Sequence, residues 1–191
     1  MYIVFPRARL RISMFALPCL LLMLWLEGAA AFAVMLLSAA WHELGHLLAV
    51  KLLKYRVRRV DILPMGALIV LPEGINHRGE SIIALSGPAF SFFGALALAF
   101  AFVIVKAPLL LFGAAVNCLL ALFNLMPVRK LDGGKALYCF LAYKNKKAER
   151  FCSAASITSK AVFVFFVTLC FMLSDMNLGV ALLGIALVLQ L

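Results

Sequence analysis

Residues 38–50 read SAAWHELGHLLAV. Two histidines and a glutamate stand in a run that is otherwise lipid-like helix, and all three are costly in hydrocarbon. Ionisable side chains inside a membrane face a cavity or a partner and mark functional sites, because burying them in lipid costs at least about 2 to 3 kcal/mol each. His42 and His46 are four residues apart, which puts both imidazoles on one face of a helix, one turn apart and able to grip one metal ion. With Glu43 beside them the pattern is a full H-E-x-x-H, in which the histidines bind zinc and the glutamate serves as general base toward the attacking water. Core polar residues that merely satisfy one another are the plainer reading. Three such groups together in an apolar helix demand a compensating partner, and a metal ion is one.

The rest of the chain supplies the lipid setting. Of its 191 residues 66% are hydrophobic and 14% charged, and the mean hydropathy is +1.10; such a chain cannot clothe a soluble core in polar groups. Apolar runs at 12–26, 29–53, 81–105, 109–126, 157–173 and 178–191 predict about six transmembrane helices at roughly 20 residues per crossing. The expected fold is an all-α membrane protein, a single polytopic domain over residues 1–191 with no appended soluble regulatory domain. Arg7, Arg9 and Arg11 followed by an apolar run and GAAAF at 28–32 also fit a cleavable secretory signal, but the next apolar stretch follows almost at once, as in a tight helical hairpin.

Basic residues orient the predicted bundle. Every Lys and Arg except Lys106 falls in the N-terminal segment, at positions 51–78, or at positions 129–160, which the six spans place on one side. The positive-inside rule makes that side cytoplasmic. The net charge of +10 is thus a topology signal with some attraction for anionic headgroups. Nucleic acid is not expected as a partner, since no basic patch is interleaved with stacking aromatics. The five cysteines form no CxxC pair and read as small packing residues.

A catalytic zinc usually has three protein ligands and an open position. The remaining histidine, His77, lies between Asn76 and Arg78 and reads as a solvated loop residue. An acidic group is needed, and NLMPVRKLDGGKAL at 124–137 offers Asp132. The helix before it should end or kink at Pro127, and Gly133 and Gly134 admit backbone geometry that other residues resist. Broken backbone at membrane depth is tolerated only where protein or a wet cavity satisfies it. Asp132 is therefore the natural third ligand; it also reads as the N-cap of a helix beginning near Lys135.

HELGH followed by N-x-x-P-x-x-x-L-D-G-G resembles the site-2 proteases, zinc metalloproteases that cut substrates within the membrane. Similarity extends to LPMGA at 63–67 and SGP at 86–88, which are like the LPFGG and AGP of the stage IV sporulation protease branch. The resemblance implies one Zn2+ per chain on His42, His46 and Asp132, Glu43 as catalytic base, and Asn124 as a second catalytic group that holds substrate or the developing oxyanion. It also implies a membrane-protein substrate, regulated intramembrane proteolysis, a sporulation transcription-factor precursor as one such substrate, and control by inhibitory or regulatory membrane proteins. Lys130 stands where that branch often has proline, and the chain ends at Leu191 while still apolar, where the branch carries a CBS domain.

A substrate helix must be unwound before its carbonyls can be attacked. VDILPMGALIV at 60–70 has β-branched residues around Pro64 and Gly66 and predicts a short extended or hairpin element after the second span. Its edge suits strand addition by an opened substrate, with Gly66 as the substrate-binding close-approach point; a plain turn glycine is the alternative. Gly87 and Pro88 read as a helix-start break near the site, with plain packing as the default reading. Two other functions compete with proteolysis. A zinc transporter would want ligands through both halves of the bilayer, and a catalytically inactive, partner-binding relative would have no use for the base Glu43.

Overall fold

The computed structural model describes residues 2–5, 10–14, 16–63, 66–70, 76–142 and 147–173. They belong to two compact units, Met1–Leu122 and Phe123–Leu191.

Among the described residues, the first unit carries a four-stranded sheet whose strands lie side by side in sequence order. β1 (Tyr2–Phe5) pairs antiparallel with β2 (Leu10–Ser13), with Tyr2 opposite Ser13. β2 runs parallel to β3 (Arg59–Leu63), with Arg11 opposite Asp61, and β3 turns back into β4 (Gly66–Val70), with Leu63 opposite Gly66. Tyr, Ile, Val and Phe fill these strands, residues whose branched or flat side chains suit a pleated surface.

Between the parallel strands runs α1 (Ala16–Leu52), 37 residues long. A straight helix of that length would span about 55 Å, whereas the links from Ser13 to Ala16 and from Leu52 to Arg59 bridge at most about 35 Å when fully extended. Because β2 and β3 are neighbours, α1 has to fold back sharply. It does so at Gly28, whose φ of 79° and ψ of 163° are non-helical and lie in a region open essentially to glycine alone. Nothing lies within 4 Å of a Cβ built there, so the dihedral rather than crowding selects the glycine. Gly28 thus divides α1 into two limbs near the boundary expected between the apolar runs 12–26 and 29–53. Its first limb starts later than expected, because Ile12 and Ser13 are spent on β2.

α2 (His77–Val105) is capped by Asn76, whose side chain accepts from the Gly79 N–H at 2.6 Å. It ends where Lys106 turns left-handed (φ 61°) and its N–H bonds the Phe102 carbonyl. α3 (Pro108–Asn124) follows at once, with proline in the first turn where its missing N–H costs nothing. Gly45 lets α1 and α2 approach closely: a Cβ there would stand 2.6 Å from the Ser86 carbonyl oxygen and 2.8 Å from Phe90 Cγ. Trp41 Nε1 donates to the Phe90 carbonyl at 2.8 Å. Asn117 Nδ2 donates to Ser38 Oγ and to the Gly113 carbonyl, tying α3 to α1 as polar side chains do between membrane helices. Trp25, Leu37 and Phe100 are exposed by 80%, 70% and 69%, a surface suited to hydrocarbon rather than water.

The second unit contains the end of α3, a turn over residues 125–131, α4 (Asp132–Ala142) and α5 (Lys147–Leu173). Val128 and Leu131 are its buried centre, packed by Phe123, Met126 and Phe163. α3 stops three residues before Pro127, in keeping with the expected break. Gly133 and Gly134 matter for room, not for dihedral freedom. A Cβ on Gly133 would collide with the Leu125 backbone and one on Gly134 with the Val128 backbone, while Gly28 is the positive-φ glycine among the described residues.

Two described helices, Leu20–Leu52 and His77–Val105, are long and apolar enough to cross a membrane, and α3 is a shorter apolar helix. The hairpin expected over 60–70 is β3–β4, but it is half of a larger sheet, so the all-α expectation needs amending. The expected span 178–191 lies outside the described residues, as do Pro64 and Met65.

Candidate metal centre

His42 and His46 sit one turn apart on the second limb of α1, exposed by only 4% and 8%. Their Nε2 atoms face each other at 3.3 Å, with the rings nearly perpendicular at 80°. α2 engages the far nitrogen of each ring. His46 Nδ1 lies 2.7 Å from the Ile83 carbonyl oxygen, which can only accept, so Nδ1 carries the proton and Nε2 keeps a lone pair. His42 Nδ1 lies 2.9 Å from Ser91 Oγ.

This pair fits a zinc ion. Two imidazole nitrogens bound to a tetrahedral zinc at about 2.0–2.1 Å stand about 3.3–3.4 Å apart, which is the spacing seen. Histidine ligands typically hand their other ring N–H to a carbonyl or another acceptor, which fixes tautomer and ring orientation. Gly87 leaves the space: a Cβ on it would collide with His46 Nε2 and Cε1 and lie 2.8 Å from His42 Nε2. The glycine thus opens a cradle directly at the two donor atoms.

Gly87 and Pro88 do not start a helix as expected. α2 begins at His77, ten residues before Gly87 and just after the Asn76 cap, and both lie buried within it. A proline inside a helix removes one backbone hydrogen bond and crowds the carbonyl four residues back, here Ala84. Next to it, the Ile83 carbonyl accepts from both His46 Nδ1 and Ser86 Oγ.

Glu43 is half-buried on α1 beside His42. Gly66 opens β4, an edge strand of the sheet. In the second unit, Asn124 ends α3 half-buried, and Asp132 opens α4 with 7% exposure. Lys135 Nζ lies 3.3 Å from Asp132 Oδ1, and a carboxylate in the first turn also favours the helix dipole. Lys130 is exposed in the turn before it. His77 is the first residue of α2, not a loop residue, and its side chain is 53% exposed, with Nδ1 3.8 Å from Glu80 Oε2. Reading the sequence alone missed Ser91 and the use made of Gly87. Their four-residue spacing on one helix face was the available signal.

No family model matches the chain. A zinc metalloprotease of Methanocaldococcus jannaschii is 31% identical over 121 residues, which is 61% of this chain and 35% of that protein. Stage IV sporulation protein FB of Bacillus subtilis is 33% identical over 113 residues, 56% of this chain and 39% of that protein. The chain therefore spans little more than a third of the length of these curated relatives. In fold it is similar to the site-2 protease from Methanocaldococcus jannaschii, with a TM-score of 0.66 at 24% identity over 100% of this chain and 92% of the other. Sequence similarity to zinc metalloproteases and a fold like that of a solved site-2 protease point the same way, and the chain is similar to both.

Proposed function

We propose that the chain is a membrane-embedded zinc endopeptidase that hydrolyses peptide bonds of membrane-embedded or membrane-associated proteins. The observation that carries this reading is the 3.3 Å convergence of His42 Nε2 and His46 Nε2 at the spacing a single tetrahedral zinc requires. Asp132 is the third ligand, as the family resemblance implies, with one zinc per chain. When bound, the metal supplies a Lewis acid and makes water a usable nucleophile near neutral pH.

The chain's own residues supply the rest. Glu43 takes the proton of the attacking water and delivers it to the leaving amine. Asn124 donates a hydrogen bond to the oxygen on which charge develops. β4 is an edge strand, so the unwound substrate adds beside it, with Gly66 at the point of close approach. The site lies about 15 Å along the helix from the Leu52 end of α1, reached by water from the cytoplasmic side in a six-span layout. A sporulation transcription-factor precursor is one substrate class, and other membrane proteins regulate access.

Purified protein in proteoliposomes with a membrane-tethered substrate tests the reading. Cleavage is expected to stop on chelation and to return with added zinc. Zinc flux across the vesicle without any cleavage would replace this reading with transport.

A further inference from the structure

We propose that Ser91 is a positioning residue for the metal centre: its hydroxyl accepts the Nδ1 proton of His42 and thereby turns the Nε2 lone pair toward His46. The inference rests on the zinc reading of the histidine pair but concerns a residue outside the HELGH motif, carried by a different helix.

The two histidines are held unequally. His46 is fixed by a backbone carbonyl, that of Ile83 at 2.7 Å, an acceptor that no side-chain substitution removes. His42 relies on a side chain, Ser91 Oγ at 2.9 Å. A neutral imidazole carries one proton, and its two tautomers differ little in energy, so the partner of one nitrogen decides which nitrogen is free to bind metal. Ser91 is 0% exposed and His42 4%, so water does not compete for Nδ1. Without the hydroxyl, the neighbouring lone pair on His46 Nε2, 3.3 Å away, draws the His42 proton to Nε2. That tautomer is the wrong one for a ligand. Ser91 is thus to His42 what the Ile83 carbonyl is to His46.

Gly87 and Ser91 are four residues apart on α2 and therefore share the face turned to α1. One clears the space at the donor atoms and the other aims one of them. A serine kept only for close helix packing would fit equally well as alanine, and this difference separates the two roles.

The test uses the full chain in detergent, with Ser91→Ala and Ser91→Thr. Zinc affinity by chelator competition is expected to fall about 10- to 100-fold in Ser91→Ala, the usual cost of losing a ligand's hydrogen-bond partner, and to recover substantially in Ser91→Thr, which restores a hydroxyl. In parallel, nitrogen-15 NMR of metal-free, histidine-labelled wild-type protein is expected to show the His42 proton on Nδ1. A His42 proton on Nε2 in the wild type overturns the proposal without any variant having to fold. Wild-type zinc affinity in Ser91→Ala, or a threonine variant as weak as alanine, overturns it as well. If the wild type binds no zinc, the zinc reading itself fails, while the NMR result still decides the Ser91 bond.

Discussion

Substituting Glu43 by glutamine is expected to reduce peptide-bond cleavage by about 100- to 10,000-fold, the range typical of a lost general acid–base group, with zinc content unchanged. Glutamine keeps the length and shape of the side chain but cannot take a proton from water. Glu43 is half-buried on α1, and exchanging a carboxylate for a neutral amide at membrane depth does not add a desolvation cost. The two imidazoles keep their partners Ser91 and Ile83, so metal binding survives. Initial cleavage rates in proteoliposomes, paired with metal content of the same preparation, separate the two effects. Undiminished cleavage would remove Glu43 from the chemistry.

Gly87→Ala is expected to strike the opposite quantity, lowering zinc affinity by about 10- to 100-fold or more, the usual cost of disturbing a metal ligand's orientation. The new methyl group would occupy the position of His46 Nε2 and Cε1. The helices cannot separate freely to relieve it, because Gly45 already brings α1 against Ser86 and Phe90 of α2 and Trp41 is bonded to the Phe90 carbonyl. The His46 ring must therefore swing away from the Ile83 carbonyl, or the 3.3 Å convergence with His42 is lost. Circular dichroism should show helix content retained, alanine being the better helix former. A folded Gly87→Ala variant with wild-type zinc affinity would show that the cradle is not where the ion sits.

The local parts of this site were legible in the sequence because helical periodicity is local. His42 and His46 lie four apart, and any helix through them converges their side chains. The hairpin over 60–70 was legible for the same reason, from β-branched residues flanking a Pro and a Gly. Strands β1 and β2 were not found, although YIVF and LRIS are good strand formers. β1 pairs with β2, while the pairing of β2 with β3 depends on residues some fifty positions away, and Ile12 merges into the apolar run that follows it. The start of α2 was placed late for a physical reason. Hydropathy marks the part of a helix that suits lipid, whereas Asn76 caps a polar first turn containing Arg78 and Glu80 that extends beyond it. Ser91 was invisible because its hydroxyl acquires a role only when α2 packs on α1.

Metal analysis combined with zinc X-ray absorption on the purified wild type and on Asp132→Ala tests the central claim most directly. The account predicts one zinc per wild-type chain, bound by nitrogen and oxygen ligands at about 2.0–2.1 Å, and a marked fall in zinc content when Asp132 is removed. A sulfur-containing shell, a wild-type protein without zinc, or an unchanged ligand shell and zinc content in Asp132→Ala would contradict it.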